Sequence, residues 1–223
     1  MKLETQSNWN CVTDKLLKNS RPISLGRYAS YWHTNTPRRT LYSLSYYKFA
    51  TKMVGPEKRV LDIGCNEGLG SWVVAKECGF CCGVDFDQEA IVTAQSNFTD
   101  KNIEFRCADF LKASLGIWDG IVNFDVIEHI YPEHEDGFFK QALMHLSDTG
   151  VMVVGTPSEI SQQFASKISK EGHVNIYSPQ RLEETMRCYF NFVFLFAAND
   201  EVVHTGYLPL AHYLIAIGCG PKK

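Results

Sequence analysis

Long apolar runs are missing from this 223-residue chain, and none approaches the length that crosses a bilayer. The longest, Phe192 to Ala198, has the length of a buried strand. The opening residues, Met1 to Asn10, are polar and lack the apolar centre of a secretory signal. A basic excess is missing too. Asp and Glu number 25 against 22 Lys and Arg, for a formal net charge of −3. A nucleic-acid partner is therefore not expected, although Arg38-Arg39 forms a basic doublet near the start. There is no internal repeat, low-complexity tract or interdomain linker. These absences point to a globular cytoplasmic protein without a membrane or nucleic-acid partner; the oligomeric state is left open.

Eight cysteines invite a disulfide or zinc reading: Cys11, Cys65, Cys78, Cys81, Cys82, Cys107, Cys188 and Cys219. Cys78-Gly79-Phe80-Cys81 is a C-x-x-C, but no second one completes a zinc set. It also leaves a helix and enters a strand, the reverse of a redox pair set at a helix start. These cysteines read as small core hydrophobes.

What is present is an alternation. From Arg59, short apolar strands (59–63, 80–85, 103–107, 120–124 and 150–154) alternate with helices over 70–78, 88–97 and 136–146. This pattern predicts βαβ units, hence a doubly wound α/β fold with a mostly parallel sheet. A polar helical stretch covers 158–170, and Ser178-Pro179 caps a helix running to about Cys188. Phe192–Ala198 and Tyr213–Gly218 pair as a closing hairpin. Residues 1–57 form an N-terminal helical extension, with a helix over 40–53 ended by Gly55-Pro56. Upstream of it Tyr28, Tyr31, Trp32, His33, Arg38 and Arg39 form an aromatic and basic cluster, readable as a packed cap or as a lid over a substrate pocket. Residues 58–223 form the main domain.

The chemistry gathers at the first strand and the turn after it, Val60 to Trp72. A strand, a glycine turn and a helix start together accept a nucleotide-like ligand. Gly64 and Gly68 permit the tight turn, and Asn66 tolerates positive φ. The dinucleotide pattern G-x-G-x-x-G fails at Asn66 and Leu69, which disfavours a nicotinamide-dependent reductase. Asp62, just before the first glycine, suits a ligand with a positive end, such as a sulfonium or an amino group. Asp85 ends the second strand, where a carboxylate accepts both ribose hydroxyls. Phe86 can pack on an adenine face and Asp109 can accept from the adenine amino group. Each aspartate alone is equally readable as a helix cap. Three at successive strand ends favour a nucleoside.

Val60 to Gly68, Gly83-Val84-Asp85, Ala108-Asp109-Phe110 and Phe124 to Ile130 follow, in order, the motifs of class I S-adenosylmethionine-dependent methyltransferases. The chain resembles most the branch of ubiquinone-biosynthesis and small-molecule or sugar O-methyltransferases. That resemblance spans roughly residues 58 to 157, departs at Asn66, and implies a seven-stranded sheet whose last strand inserts antiparallel. It implies S-adenosylmethionine as cofactor, held by Asp62, Gly64, Cys65, Asn66, Gly68, Asp85, Phe86, Asp109, Phe110 and Asp125.

Asp125, Glu128 and His129 share one face if this segment is helical, and two carboxylates with an imidazole suit a divalent ion, Mg²⁺ or Mn²⁺. The resembling O-methyltransferases carry E-x-x-E-H here and are metal-dependent; Asp125 is shorter than their first ligand. The alternative is that Glu128 and His129 simply line the pocket. His173 precedes a capped helix, where the resemblance implies a histidine facing the acceptor. It is a candidate general base beside His129 and Glu128, or else a loop histidine bonded to backbone. The expected acceptor is a small hydroxylated or anionic metabolite, contacted by Tyr28, Tyr31, His33, Arg38 and Arg39. A non-catalytic sensor of S-adenosylmethionine is the remaining alternative.

Overall fold

A computed structural model describes residues 2–18 and 20–223. Three helices come first: α1 (Lys2–Leu17), α2 (Gly26–Asn35) and α3 (Pro37–Val54). The alternating part follows as β1 (Arg59–Ile63), α4 (Leu69–Glu77), β2 (Phe80–Asp85), α5 (Gln88–Asn97), β3 (Ile103–Cys107) and β4 (Trp118–Phe124). Then come α6 (Pro132–His145), β5 (Leu146–Pro157), α7 (Lys167–Gly172), α8 (Pro179–Tyr189), β6 (Phe190–Ala198), β7 (Val203–His204) and β8 (Tyr213–Pro221).

The eight strands form one sheet in the order β3-β2-β1-β4-β5-β8-β6-β7. The first five are parallel, and β8 runs antiparallel between β5 and β6. The expected seven strands are all there. The eighth, β7, is a two-residue edge pairing with the end of β6, too short to leave a periodic signal. The expected helix over 158–170 is instead a 3₁₀ turn (Glu159–Phe164) followed by the single short helix α7.

Helices cover both faces of the sheet. One apolar cluster joins Leu61, Ile121 and Val154 to Phe138 and Phe139 of α6 and Leu182 and Met186 of α8. The opposite cluster joins Val60, Val122 and Val153 to Val74 of α4, Ile91 of α5, and Tyr46, Tyr47, Ala50 and Val54 of α3. Helix α3 is thus a full member of the second layer. Each large side chain that it buries contributes about 1.5–3 kcal/mol, and Tyr46 stacks on Tyr213 with centroids 4.6 Å apart. The strand order reverses between β1 and β4, which places the ligand crevice at their carboxyl ends. Among the described residues no helix is long and apolar enough to cross a membrane.

Candidate active site

The turn after β1 is wound by three left-handed residues, Gly64 (φ 78°), Asn66 (φ 51°) and Gly68 (φ 82°). At Gly68 a Cβ would come within 2.6 Å of the Phe105 ring, so only glycine fits there. Asp62 lies beneath this turn with 0% exposure. Residues alternate between faces along a strand, and with Val60 it points into the α3–α4 layer. Tyr47 Oη donates to its Oδ1 at 3.1 Å and Ser71 Oγ to its Oδ2 at 2.5 Å. Burial pushes its carboxyl up to about 7. This full burial departs from the expectation that Asp62 faces an open ligand site, and its bonds to Tyr47 and Ser71 tie α3 and α4 to the turn. Cys65 is buried in the same layer.

Asp85 stands at the open side. Its Oδ2 accepts the Asn66 N–H and its Oδ1 the Asp87 N–H, each at 2.9 Å. Each oxygen keeps a free lone pair for a further donor. Phe86 beside it is 83% exposed, an apolar ring with no covering partner. Asp109 is exposed, accepts the Leu111 N–H and pairs with Lys112 at 2.7 Å, which holds its carboxyl below the usual range. Phe110 departs from the expectation of a cofactor contact. It faces the core, 5.4 Å from the Phe138 ring, because the chain turns there toward α6.

The segment after β4 supplies the second half of the site. Asp125 has φ 56° and lies outside the 3₁₀ turn Ile127–His129. Positive φ breaks the helical register, so the expected face of Asp125, Glu128 and His129 does not form. Arg39 Nη2 pairs with Asp125 at 3.3 Å while its guanidinium lies 4.1 Å from the Trp32 ring centre. Glu128 is buried and accepts from Thr156 Oγ1 at 3.1 Å. Burial, then nearby Asp125, drives its carboxyl well above the usual range.

His173 takes the place expected for Asp125. The Val174 and Asn175 N–H groups donate to the Glu128 carbonyl at 2.8 and 3.0 Å, docking this loop against the 3₁₀ turn. Ligand atoms of Glu128, His129 and His173 lie within 4.8 Å of one another, and the two imidazoles meet edge to face. Gly172 O faces His129 Nδ1 at 2.8 Å, and Gln162 Oε1 faces His173 Nδ1 at 3.0 Å. Both partners are acceptors, so the hydrogens are assigned to Nδ1 and each Nε2 keeps its lone pair. Burial, then His129, lowers the His173 pKa and favours its neutral form. Among the described residues these three side chains form a group close enough to share a divalent ion.

The expected substrate residues divide. Arg39 reaches the site, whereas His33 and Arg38 are exposed on the N-terminal helices. Tyr31 is exposed and packs on the edge of Trp32, and Tyr28 sits beside Arg27. Sequence reasoning missed Tyr213 and Gln162. Gln162 Nε2 is buried with no hydrogen-bond partner among the described residues, and the buried Tyr213 Oη lies against the Asp125 carboxylate. No local pattern marks them, since sheet insertion and the docking of the 3₁₀ turn bring them here. Glu67 was legible only as part of the turn.

The profile of the methyltransferase domain family matches residues 31–189, more than half of the chain. The chain belongs to this methyltransferase family. A probable S-adenosylmethionine-dependent methyltransferase of Mycolicibacterium smegmatis is 27% identical over 120 residues, 54% of this chain and 45% of the relative. A ubiquinone biosynthesis O-methyltransferase of Xylella fastidiosa is 26% identical over 129 residues, 52% of each chain. The match spans about half the length of these curated relatives. Among solved structures, a TehB-like methyltransferase of Corynebacterium glutamicum superposes with a TM-score of 0.66 at 17% identity, over 86% of this chain and 96% of its own. The N-methyltransferase NodS of Bradyrhizobium japonicum, solved with S-adenosylhomocysteine, gives 0.63 at 15% identity, over 85% and 91%. At these identities the likeness is one of fold.

Proposed function

We propose that this methyltransferase moves the methyl group of S-adenosylmethionine to an oxygen of a small hydroxylated or anionic metabolite. The observation that supports an oxygen-bearing acceptor is the polar group around His173: Gln162 Nε2 is a buried donor without a partner among the described residues, and Arg39 adds a guanidinium beside Asp125. A ligand rich in oxygen acceptors satisfies both, and an unpaired buried donor is costly. When bound, the cofactor would supply a methyl on a sulfonium, open to in-line attack by the acceptor oxygen with S-adenosylhomocysteine as the leaving group.

The residues of this chain do the rest. Asp85 offers its free lone pairs to the ribose hydroxyls, Phe86 its face to the adenine, and Asp109 an acceptor to the adenine amino group. His173 Nε2, free and neutral near pH 7, takes the proton of the acceptor hydroxyl. His129 packs against it. The Glu128 carbonyl holds the backbone just after His173. Alignment with exclusion of water supplies most of the acceleration. A divalent ion held by Glu128, His129 and His173 is a second reading, favoured by their clustering. The free cysteines suit the reducing cytoplasm.

The experiment is methyl transfer from S-adenosylmethionine to a panel of hydroxylated, carboxylated and phosphorylated metabolites, with and without chelator. Turnover of an oxygen acceptor is expected, with His173→Ala lowering kcat about 10²-fold or more. Its affinity for S-adenosylhomocysteine should stay close to that of the wild type. Binding without turnover of any acceptor would support the sensor, and turnover unchanged in chelator would remove the ion.

A further inference from the structure

Glu67 does not face the solvent that its charge would suggest. It is 4% exposed, and its neighbours Asn66 and Gly68 are both left-handed, which turns its side chain out of the crevice turn and onto α2. The Tyr28 N–H donates to its Oε1 at 2.6 Å and the Ala29 N–H to its Oε2 at 3.3 Å. These are orphan donors of the first turn of α2, which has no side-chain cap of its own. Gly26, at φ 74°, completes the fit: a Cβ there would stand 2.4 Å from Glu67 Cγ.

The contact belongs to a closed circuit. From Glu67 the chain passes to Asn66, whose N–H is held by Asp85 Oδ2. Asp85 Oδ1 holds the Asp87 N–H, and Asp87 Oδ2 accepts from Arg27 Nη2 at 2.9 Å, back on α2. Helix α2 is thus tied to the turn after β1 through Glu67 and to the turn after β2 through Arg27. Asp85 lies between the two ties.

We propose that Glu67 is a positioning residue that couples α2 to the cofactor turn, so that a nucleoside held at Asp85 and the closure of α2 stabilise each other. This rests on the reading of Asp85 as the ribose carboxylate. A ligand that fixes Asp85 fixes the Asn66 and Asp87 amides, and with them both ties. By reciprocity α2, when docked, raises affinity for the ligand.

Hydrogen exchange of residues 26–35 in the full chain, with and without S-adenosylhomocysteine, reads the coupling directly, and calorimetry reads the affinity. In the wild type the ligand is expected to slow exchange across α2. Glu67→Gln keeps the shape but replaces the oxygen facing the Ala29 N–H with an amide group. It should abolish the slowing and weaken ligand binding about tenfold. Arg27→Ala, an exposed change that leaves the core untouched, should reduce the slowing and serves if Glu67→Gln does not fold. Ligand-induced protection of α2 that survives both substitutions overturns the coupling, as does binding that leaves α2 exchange unchanged in the wild type. Failure of the wild type to bind S-adenosylhomocysteine overturns the cofactor reading itself.

Discussion

Two carboxyls near the crevice, Asp62 and Glu128, are withdrawn from solvent and accept side-chain hydrogen bonds from hydroxyls: Tyr47 and Ser71 for the first, Thr156 for the second. Neutral donors do not repay the loss of water around a charge, so burial wins and both carboxyls are raised. For Asp62 the consequence has a definite sign. A carboxyl at about 7 in the folded chain and 3.8 in the unfolded one holds its proton more tightly when folded. Its contribution is fully present below about pH 4 and is lost as pH rises toward 7, with an upper bound on the order of 4 kcal/mol. Asp62→Asn cannot ionise, yet its amide can accept from one hydroxyl and donate to the other. Urea unfolding at pH 5 and pH 7.5 should show the variant far less penalised, relative to wild type, at the higher pH. Parallel pH profiles would mean that Asp62 ionises freely in the fold.

At the scale of elements, the loop carrying His173 is held from behind. Glu135 of α6 accepts from Tyr177 Oη, from Asn175 Nδ2 at 2.9 Å and from Arg181 Nη2 of α8 at 2.8 Å, while the Arg181 guanidinium covers the Tyr177 ring. Tyr177→Phe keeps the ring and removes two hydrogen bonds, one donated to Glu135 and one accepted from Asn175 Nδ2, which should cost about 1–3 kcal/mol in urea unfolding. Because the loop also presents His173, kcat should fall about tenfold while the affinity for S-adenosylhomocysteine holds. A stability loss with unchanged kcat would confine this network to the fold. Several elements around it were legible in the sequence. Ser178 caps α8 as Ser178-Pro179 announced, and α5 has the bounds that its apolar spacing indicated. Where local chemistry sets an element, a sequence shows it. The face on which Asp62 lies and the break at Asp125 depend on packing between distant segments, and the sequence did not show them.

The molecule as a whole divides the same way. Turn residues at 64–68 and the carboxylate at Asp85 follow from neighbouring residues, so the shape of the turns after β1 and β2 was legible. The group proposed to meet the acceptor draws on Arg39, Glu128, Gln162 and His173, which lie far apart in sequence, so local spacing does not mark it as a unit. A ligand in the crevice should brace both halves, because the turns after β1 and β2, helix α2 and the sheet meet around it. Binding to the folded chain alone stabilises by RT ln(1 + [L]/Kd), about 2.7 kcal/mol at a hundredfold excess over Kd. For a domain of this size that corresponds to a rise in Tm of roughly 5–10 °C. S-adenosylhomocysteine should produce this rise in a thermal melt and NADH should not, since the turn lacks the glycine spacing for a pyrophosphate. Asp85→Ala should erase most of the rise while leaving the unliganded Tm within a few degrees, because it removes two part-buried hydrogen bonds and no core packing. A rise that persists in Asp85→Ala would move the nucleoside to another part of the crevice.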